Sequence, residues 1–199
     1  MKTIIIALKI FLFFTIFTGI AYPLLVTGIA QVLFPGKANG SLIVKDNQII
    51  GSELIGQKFD TIIYFTSRPS SISYNPLPSG GSNYGLTNLK LKNLVDERKH
   101  YFITFNQLDS LSAIPSEMLF SSASGLDPHI SQKAALLQVD RVVRARNLNT
   151  SQKQNLIRSV KNLTEKPQFL ILGEERVNVL FLNLELNNIE KEIRINGHY

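Results

Sequence analysis

The sequence predicts an α+β protein: one N-terminal transmembrane helix followed by a single soluble mixed α/β domain. Three observations predict it. Residues 10–36 carry no charged side chain, and a bilayer core takes about 20 apolar residues of helix. From Lys37 onward, helix-period apolar stripes mix with short β-branched runs, polar enough overall for water. Cysteine is absent, which excludes disulfides, thiolate catalysis and Cys-based zinc or iron–sulfur sites. The expected divisions are a short tail 1–9, a transmembrane helix 10–35, a soluble domain 37–187 and a polar tail 188–199.

The uncharged run is about twice the length of a signal-peptide core, so it is expected to stay as an anchor. Lys2 and Lys9 precede it and Gly28-Ile29-Ala30 resembles a cleavage site, which is the rival reading. Gly19, Pro23 and Gly28 inside the span are tolerated where neighbouring helices cover the freed backbone. Lys2 and Lys9 before the span nearly balance Lys37 and Lys45 after it, so the positive-inside rule is close to a tie. The short N-terminal tail is the easier part to leave in the cytoplasm, which places the domain outside.

Asn39-Gly40-Ser41 reads as a turn. Leu42–Val44 and Gln48–Ile50 around Lys45-Asp46-Asn47 read as a short hairpin. Phe59–Phe65, apolar and β-branched, reads as a buried strand. Ser67–Thr87 is rich in Ser, Pro, Gly and Asn; a loop of that length is functional or disordered, and Tyr74 and Tyr84 favour an ordered docking surface. Thr87 or Asn88 caps a helix to about Lys99, with Leu91, Leu94 and Val95 as its stripe. Pro115 marks a turn and 121–131 a second loop. Ser131 caps a helix from Gln132 to Arg146, with Leu136, Val139 and Val143 on one face and an Asp140–Arg144 pair. Thr150 or Ser151 caps a third helix to about Leu163, stopped by Pro167. Phe169–Leu172 and Val177–Leu186 read as strands, the second from its alternating leucines.

Several residue sets bear on chemistry. Ser79-Gly80-Gly81-Ser82-Asn83 is either an anion cradle of backbone N–H groups or a turn that needs glycine at positive φ. Ser124, Asp127 and His129 have the residue types of a hydrolase triad, but triad members normally converge from distant parts of a chain, and these six crowded residues read as turn chemistry and entry to a helix; an anchored hydrolase is the lesser alternative. His100, His129 and His198 are far apart, so no metal site is expected. Gln138, Arg141 and Arg144 form a polar patch, either a solvated face or a partner or phosphate contact. Net charge is +6, but the cations are scattered without interleaved aromatics, which argues against nucleic acid.

The ordered motifs resemble the KdpC family, which supplies one subunit of the Kdp-type potassium-transporting ATPase. The series is Tyr22-Pro23-Leu24-Leu25, Asn39-Gly40-Ser41-Leu42, and Gly51-Ser52 with Leu54-Ile55-Gly56-Gln57. It continues with Tyr64-Phe65, Arg68-Pro69-Ser70, Tyr74-Asn75-Pro76 and Ser79 through Asn83. It closes with Ser122-Ala123-Ser124-Gly125-Leu126-Asp127, Gln138 with Arg141-Val142 and Ala145-Arg146, and Val177-Asn178-Val179-Leu180. Gly85 to Asn88 and Glu175 depart from the family where prolines are usual.

The resemblance implies a non-catalytic accessory subunit in a bacterial inner-membrane complex. Its implied partners are a channel-like potassium-binding subunit, a P-type ATPase subunit and a small membrane subunit. The implied role is assembly and a higher ATP affinity of the ATPase subunit, with no cofactor of its own and ATP met only through the complex. Nucleotide or partner contact is implied for Ser79, Gly80, Gly81, Ser82, Asn83, Gln138 and Arg141. Arg68, Pro69, Tyr74, Asn75, Gly125 and Asp127 are further motif positions. An external domain would instead cap the ion entrance of the channel-like partner without touching nucleotide.

Overall fold

The computed structural model describes the backbone of residues 2–196 and the side chains through Ile189. His198 therefore lies outside the described residues. The chain forms two compact units, one ending at Ser52 and one beginning at Glu53.

The first unit opens with α1 (Lys2–Ile16), a π-helical turn (Phe17–Ala21) and α2 (Tyr22–Leu33). Pro23 has no N–H for the carbonyl four residues back. The helix absorbs this with the π turn, in which the Tyr22 N–H donates to the Phe17 carbonyl. Lys2–Leu33 is long and apolar enough to cross a membrane. It begins before the expected residue 10 because lysine is a good helix former and nothing stops the helix there. After α3 (Pro35–Ala38), β1 (Leu42–Lys45) and β2 (Gln48–Ser52) pair antiparallel. Asp46 and Asn47 both have positive φ, the geometry that fits a two-residue hairpin turn to strand twist.

The second unit holds α4 (Leu89–Asn106), a 3-10 turn (Ser116–Met118), β3 (His129–Ile130), α5 (Gln132–Ala145) and α6 (Thr150–Asn162). It continues with β4 (Thr164–Glu165), β5 (Arg176–Asn178) and α7 (Val179–Asn196). The strands form an antiparallel sheet in the order β3-β5-β4. Ile130 and Val177 pair across it and enter the core with Val139 and Val142 of α5, Leu156 and Val160 of α6, and Leu182 and Leu186 of α7. Asn88 caps α4 and Ser131 caps α5, as expected. Asn149, one residue ahead of the expected position, caps α6 in a capping box with Gln152.

Four sequence readings change. α4 runs on to Asn106 because Phe102 and Asn106 continue its buried stripe. Asp140 pairs with Lys153 at 2.6 Å rather than with Arg144. Phe169–Leu172 is an exposed turn, with Phe169 and Leu170 at positive φ. Val177–Leu186 is a strand only to Asn178 and then becomes α7. Its leucines satisfy both periods, but beside Leu180 the buried residues are Val179, Leu182, Asn183, Leu186 and Ile189, at helical spacing. Part of the expected polar tail is thus the end of α7.

Candidate functional site

Phe59–Phe65 forms no strand. It lies in turns with Phe65 fully buried, and side chains satisfy its backbone in place of a ladder partner. Asn183 of α7 accepts the Phe65 N–H at 2.8 Å and donates to the Phe65 carbonyl at 2.9 Å. Gln138 of α5 accepts the Thr66 N–H at 2.8 Å and donates to the Thr66 carbonyl at 3.3 Å. Arg141 Nη1 donates to the Ile62 carbonyl, and Arg146 Nε to the Ile63 carbonyl at 2.7 Å. Two amides and two guanidinium groups therefore clamp residues 62–66.

This placement revises the reading of Gln138 and Arg141 as a surface patch. Gln138 is fully buried and Arg141 is 4% exposed. Arg141 also donates from Nε to Asn106 Oδ1 at 2.9 Å and from Nη2 to Gln138 Oε1 at 3.0 Å, and it lies 4.5 Å over the Phe105 ring. Burial pulls its guanidinium down to about 10, with Tyr101 pulling the other way and Arg144 adding to the fall. It stays cationic at neutral pH. Arg144 is exposed, with one 3.3 Å bond to the Asn106 carbonyl. The buried partners Asn183 and Asn106 escape a reading of sequence. An Asn within an apolar helical run is their only signal.

The two long loops interlock. The Gly80 N–H donates to the Ser124 carbonyl at 3.1 Å, as does Ser79 Oγ at 3.2 Å. The Gly80 carbonyl accepts from Ser71 Oγ at 2.8 Å. A Cβ on Gly81 would stand 3.1 Å from the Ala123 carbonyl oxygen. Gly80 and Gly81 do not need positive φ; Gly81 serves close approach. Asn83, at φ 54°, and Ser82 are exposed. Gly125 has φ 71°, and a Cβ there would meet Ile72 Cγ1 at 2.5 Å. Asn75 Oδ1 accepts the Leu77 N–H, and the Tyr74 hydroxyl donates to the Arg68 carbonyl at 2.6 Å. Burial raises the Tyr74 phenol to about 12, against smaller opposing effects of Ser67 and Arg68. Pro69 and Tyr74 line a small cavity of about 240 Å³.

Arg68 and Asp127 join these loops through a 2.8 Å ion pair. Asp127 Oδ1 accepts the His129 N–H at 3.0 Å and lies 3.3 Å from His129 Nδ1. Burial alone would raise the Asp127 carboxyl, but hydrogen bonds from His129 and Arg68 outweigh it and bring it to about 2. Ser124 Oγ accepts the Leu126 N–H instead of meeting His129, so the three residues do not assemble as a triad. Among the described residues no three His, Asp or Glu side chains converge as metal ligands.

The pair borders a cleft of about 770 Å³ that is also lined by His129 and Ile130 of β3 and Arg176 of β5. Phe120, Ile130, Pro167 and Leu172 supply its apolar lining. Its fixed charges balance: Arg68, Lys166 and Arg176 against Glu117, Asp127 and Glu174.

The sequence model described as KdpC, K+-transporting ATPase, c chain, matches residues 4–188. A potassium-transporting ATPase KdpC subunit of Photorhabdus laumondii is 45% identical over 184 residues, 91% of this chain and 93% of that protein. That of Pectobacterium atrosepticum is 46% identical, over 91% and 94% of the two chains. That of Caldanaerobacter subterraneus is 43% identical, over 90% and 91%. A match this continuous runs through the apolar helix, the clamp and both loops, and the chain belongs to the KdpC family of potassium-transporting ATPase subunits.

Proposed function

We propose that this chain is an accessory subunit that holds a potassium-transporting ATPase complex together and does no chemistry itself. Lys2–Leu33 anchors it in the bacterial inner membrane, and the domain from Glu53 lies on the outer side. Any rise in ATP affinity is then exerted through the partner ATPase subunit, as a shift between states that subunit already populates. One observation carries the reading. Three of the groups the resemblance assigned to nucleotide are bonded within the domain: Gly80 N–H to Ser124, Gln138 to Thr66, and Arg141 to Gln138 and Asn106. A nucleotide would have to break those bonds to use them.

The test is copurification in mild detergent from cells that express the whole operon. The channel-like and ATPase subunits should elute with this chain, and deleting it should leave them separate. The purified chain alone should hydrolyse ATP no faster than the buffer blank. Hydrolysis by the isolated chain, or a complete complex without it, overturns the reading.

A further inference from the structure

We propose that the Thr18 carbonyl, near the middle of the apolar helix, accepts a hydrogen bond from a Ser or Thr hydroxyl on a transmembrane helix of another subunit. This rests on the accessory-subunit reading, which puts Lys2–Leu33 in the bilayer. In a regular α-helix the Thr18 carbonyl would take the N–H of Tyr22, and in a π turn that of residue 23. The Tyr22 N–H goes to the Phe17 carbonyl instead. Pro23 has no N–H to give. The helix therefore offers the Thr18 carbonyl no donor. The neighbouring hydroxyls do not replace it: Thr18 Oγ1 donates to the Phe14 carbonyl at 2.6 Å and Thr15 Oγ1 to the Phe11 carbonyl at 2.8 Å. None of residues 2–33 is buried. Lipid tails carry no donor, and a backbone acceptor left open in hydrocarbon is costly, so a neighbouring helix is the natural source of one.

Gly19 points to the same surface independently. It follows the Thr18 carbonyl directly, so its bare Cα flanks the open oxygen. Glycine weakens a helix interior relative to alanine, and a Cβ at Gly19 would meet nothing of this chain within 4 Å. No contact inside the chain asks for glycine there. A second helix does, because small residues let two backbones approach closely in a membrane. Phe13 and Phe17 stack with their rings 6.0 Å apart on one side of the helix. At about 100° per residue, Thr15, Thr18 and Gly19 fall on the opposite side. One side thus suits lipid, and the other presents bare backbone with an open acceptor. The donor class follows from this setting. A charged donor is expensive at mid-bilayer, and a long amide or phenol would hold the backbones apart. A Ser or Thr hydroxyl is short, uncharged and has one proton to donate. A second copy of this chain fits less well, because its Thr15 and Thr18 hydroxyls are spent on its own carbonyls.

The experiment uses the full complex in native membranes. A photo-cross-linking amino acid is placed at Thr15 and, separately, at Phe13. Thr15 should mark one helix of a partner subunit, at a segment with a Ser or Thr, and more strongly than Phe13 does. Gly19→Leu should lower the copurified partner roughly tenfold by holding the backbones apart. Replacing the mapped Ser or Thr by Ala should lower it about threefold. The same replacement should have no effect beside a Pro23→Ala chain, whose helix regains an N–H of its own. That loss of coupling separates a hydrogen bond from packing alone. Thr15 cross-links to lipid alone or to a second copy of this chain, a partner mark stronger from Phe13, a marked segment without a hydroxyl, or an Ala replacement that acts equally in both backgrounds overturns the proposal and leaves the accessory reading standing. A wild-type chain that does not copurify overturns the accessory reading itself.

Discussion

At Gln138 one buried amide makes four bonds: three to its oxygen from Thr66 N–H, Thr66 Oγ1 and Arg141 Nη2, and one from its nitrogen to the Thr66 carbonyl. Gln138→Ala leaves buried donors without acceptors, each worth about 1–3 kcal/mol. The full chain in detergent should lose about 3 kcal/mol of stability, read as a lower thermal midpoint. Unchanged stability with lost ATP labelling of the complex would return Gln138 to the nucleotide. Asp127 carries the acid sensitivity. Its carboxyl ionises at about 2 when folded, against 3.8 ordinarily. A lowered folded pKa gives stability that is present above pH 3.8 and is lost as pH falls toward about 2. Asp127→Asn should flatten the stability profile in that window, as followed by circular dichroism. The glycines separate by what surrounds them. A Cβ on Gly56 would lie 2.7 Å from the Asp127 carbonyl oxygen, which is backbone and cannot step aside, while one on Gly80 meets open space. Gly56→Ala should lower the thermal midpoint sharply, and Gly80→Ala should leave it within experimental scatter.

Among the elements, α6 shows how much of a helix is written locally. Asn149 accepts the Gln152 N–H at 2.9 Å and the Gln152 side chain returns to the Asn149 N–H. Asn149→Ala should cost about 1 kcal/mol in thermal unfolding, the usual loss for such a cap. α5 and α6 were legible because caps and apolar spacing agree within one segment. Residues 59–65 and α7 were not. Phe59–Phe65 has the composition of a strand, but side chains take the place of a ladder partner: Asn183, 118 positions away, holds the backbone of Phe65, and Gln138, 72 positions away, holds that of the adjoining Thr66. The leucines of α7 fit two periods, and only the core it packs against chooses between them. Phe169–Leu172 reads as a strand for the same reason, yet nothing within the domain covers it.

Across the whole molecule, the proposed outer placement of the domain has a direct test. Protease added to intact spheroplasts should digest residues beyond Glu53, whereas protection until lysis would reverse the topology. A deletion strain should fail to grow at very low potassium and grow normally when potassium is plentiful. The sequence by itself determined the apolar helix, the α+β class, the hairpin, the capped helices and, through its ordered motifs, the family. Those signals are local: charge, period, cap and turn residues act within a few positions of one another. Only the tertiary structure decided that Gln138, Arg141, Arg146 and Asn183 clamp one segment, that Ser124 stands apart from His129, and that Arg68 pairs with Asp127 across the two loops. The clamp and the Arg68–Asp127 pair join positions 59 to 118 apart, and a buried polar group shows whether it is satisfied only when its neighbours are in place.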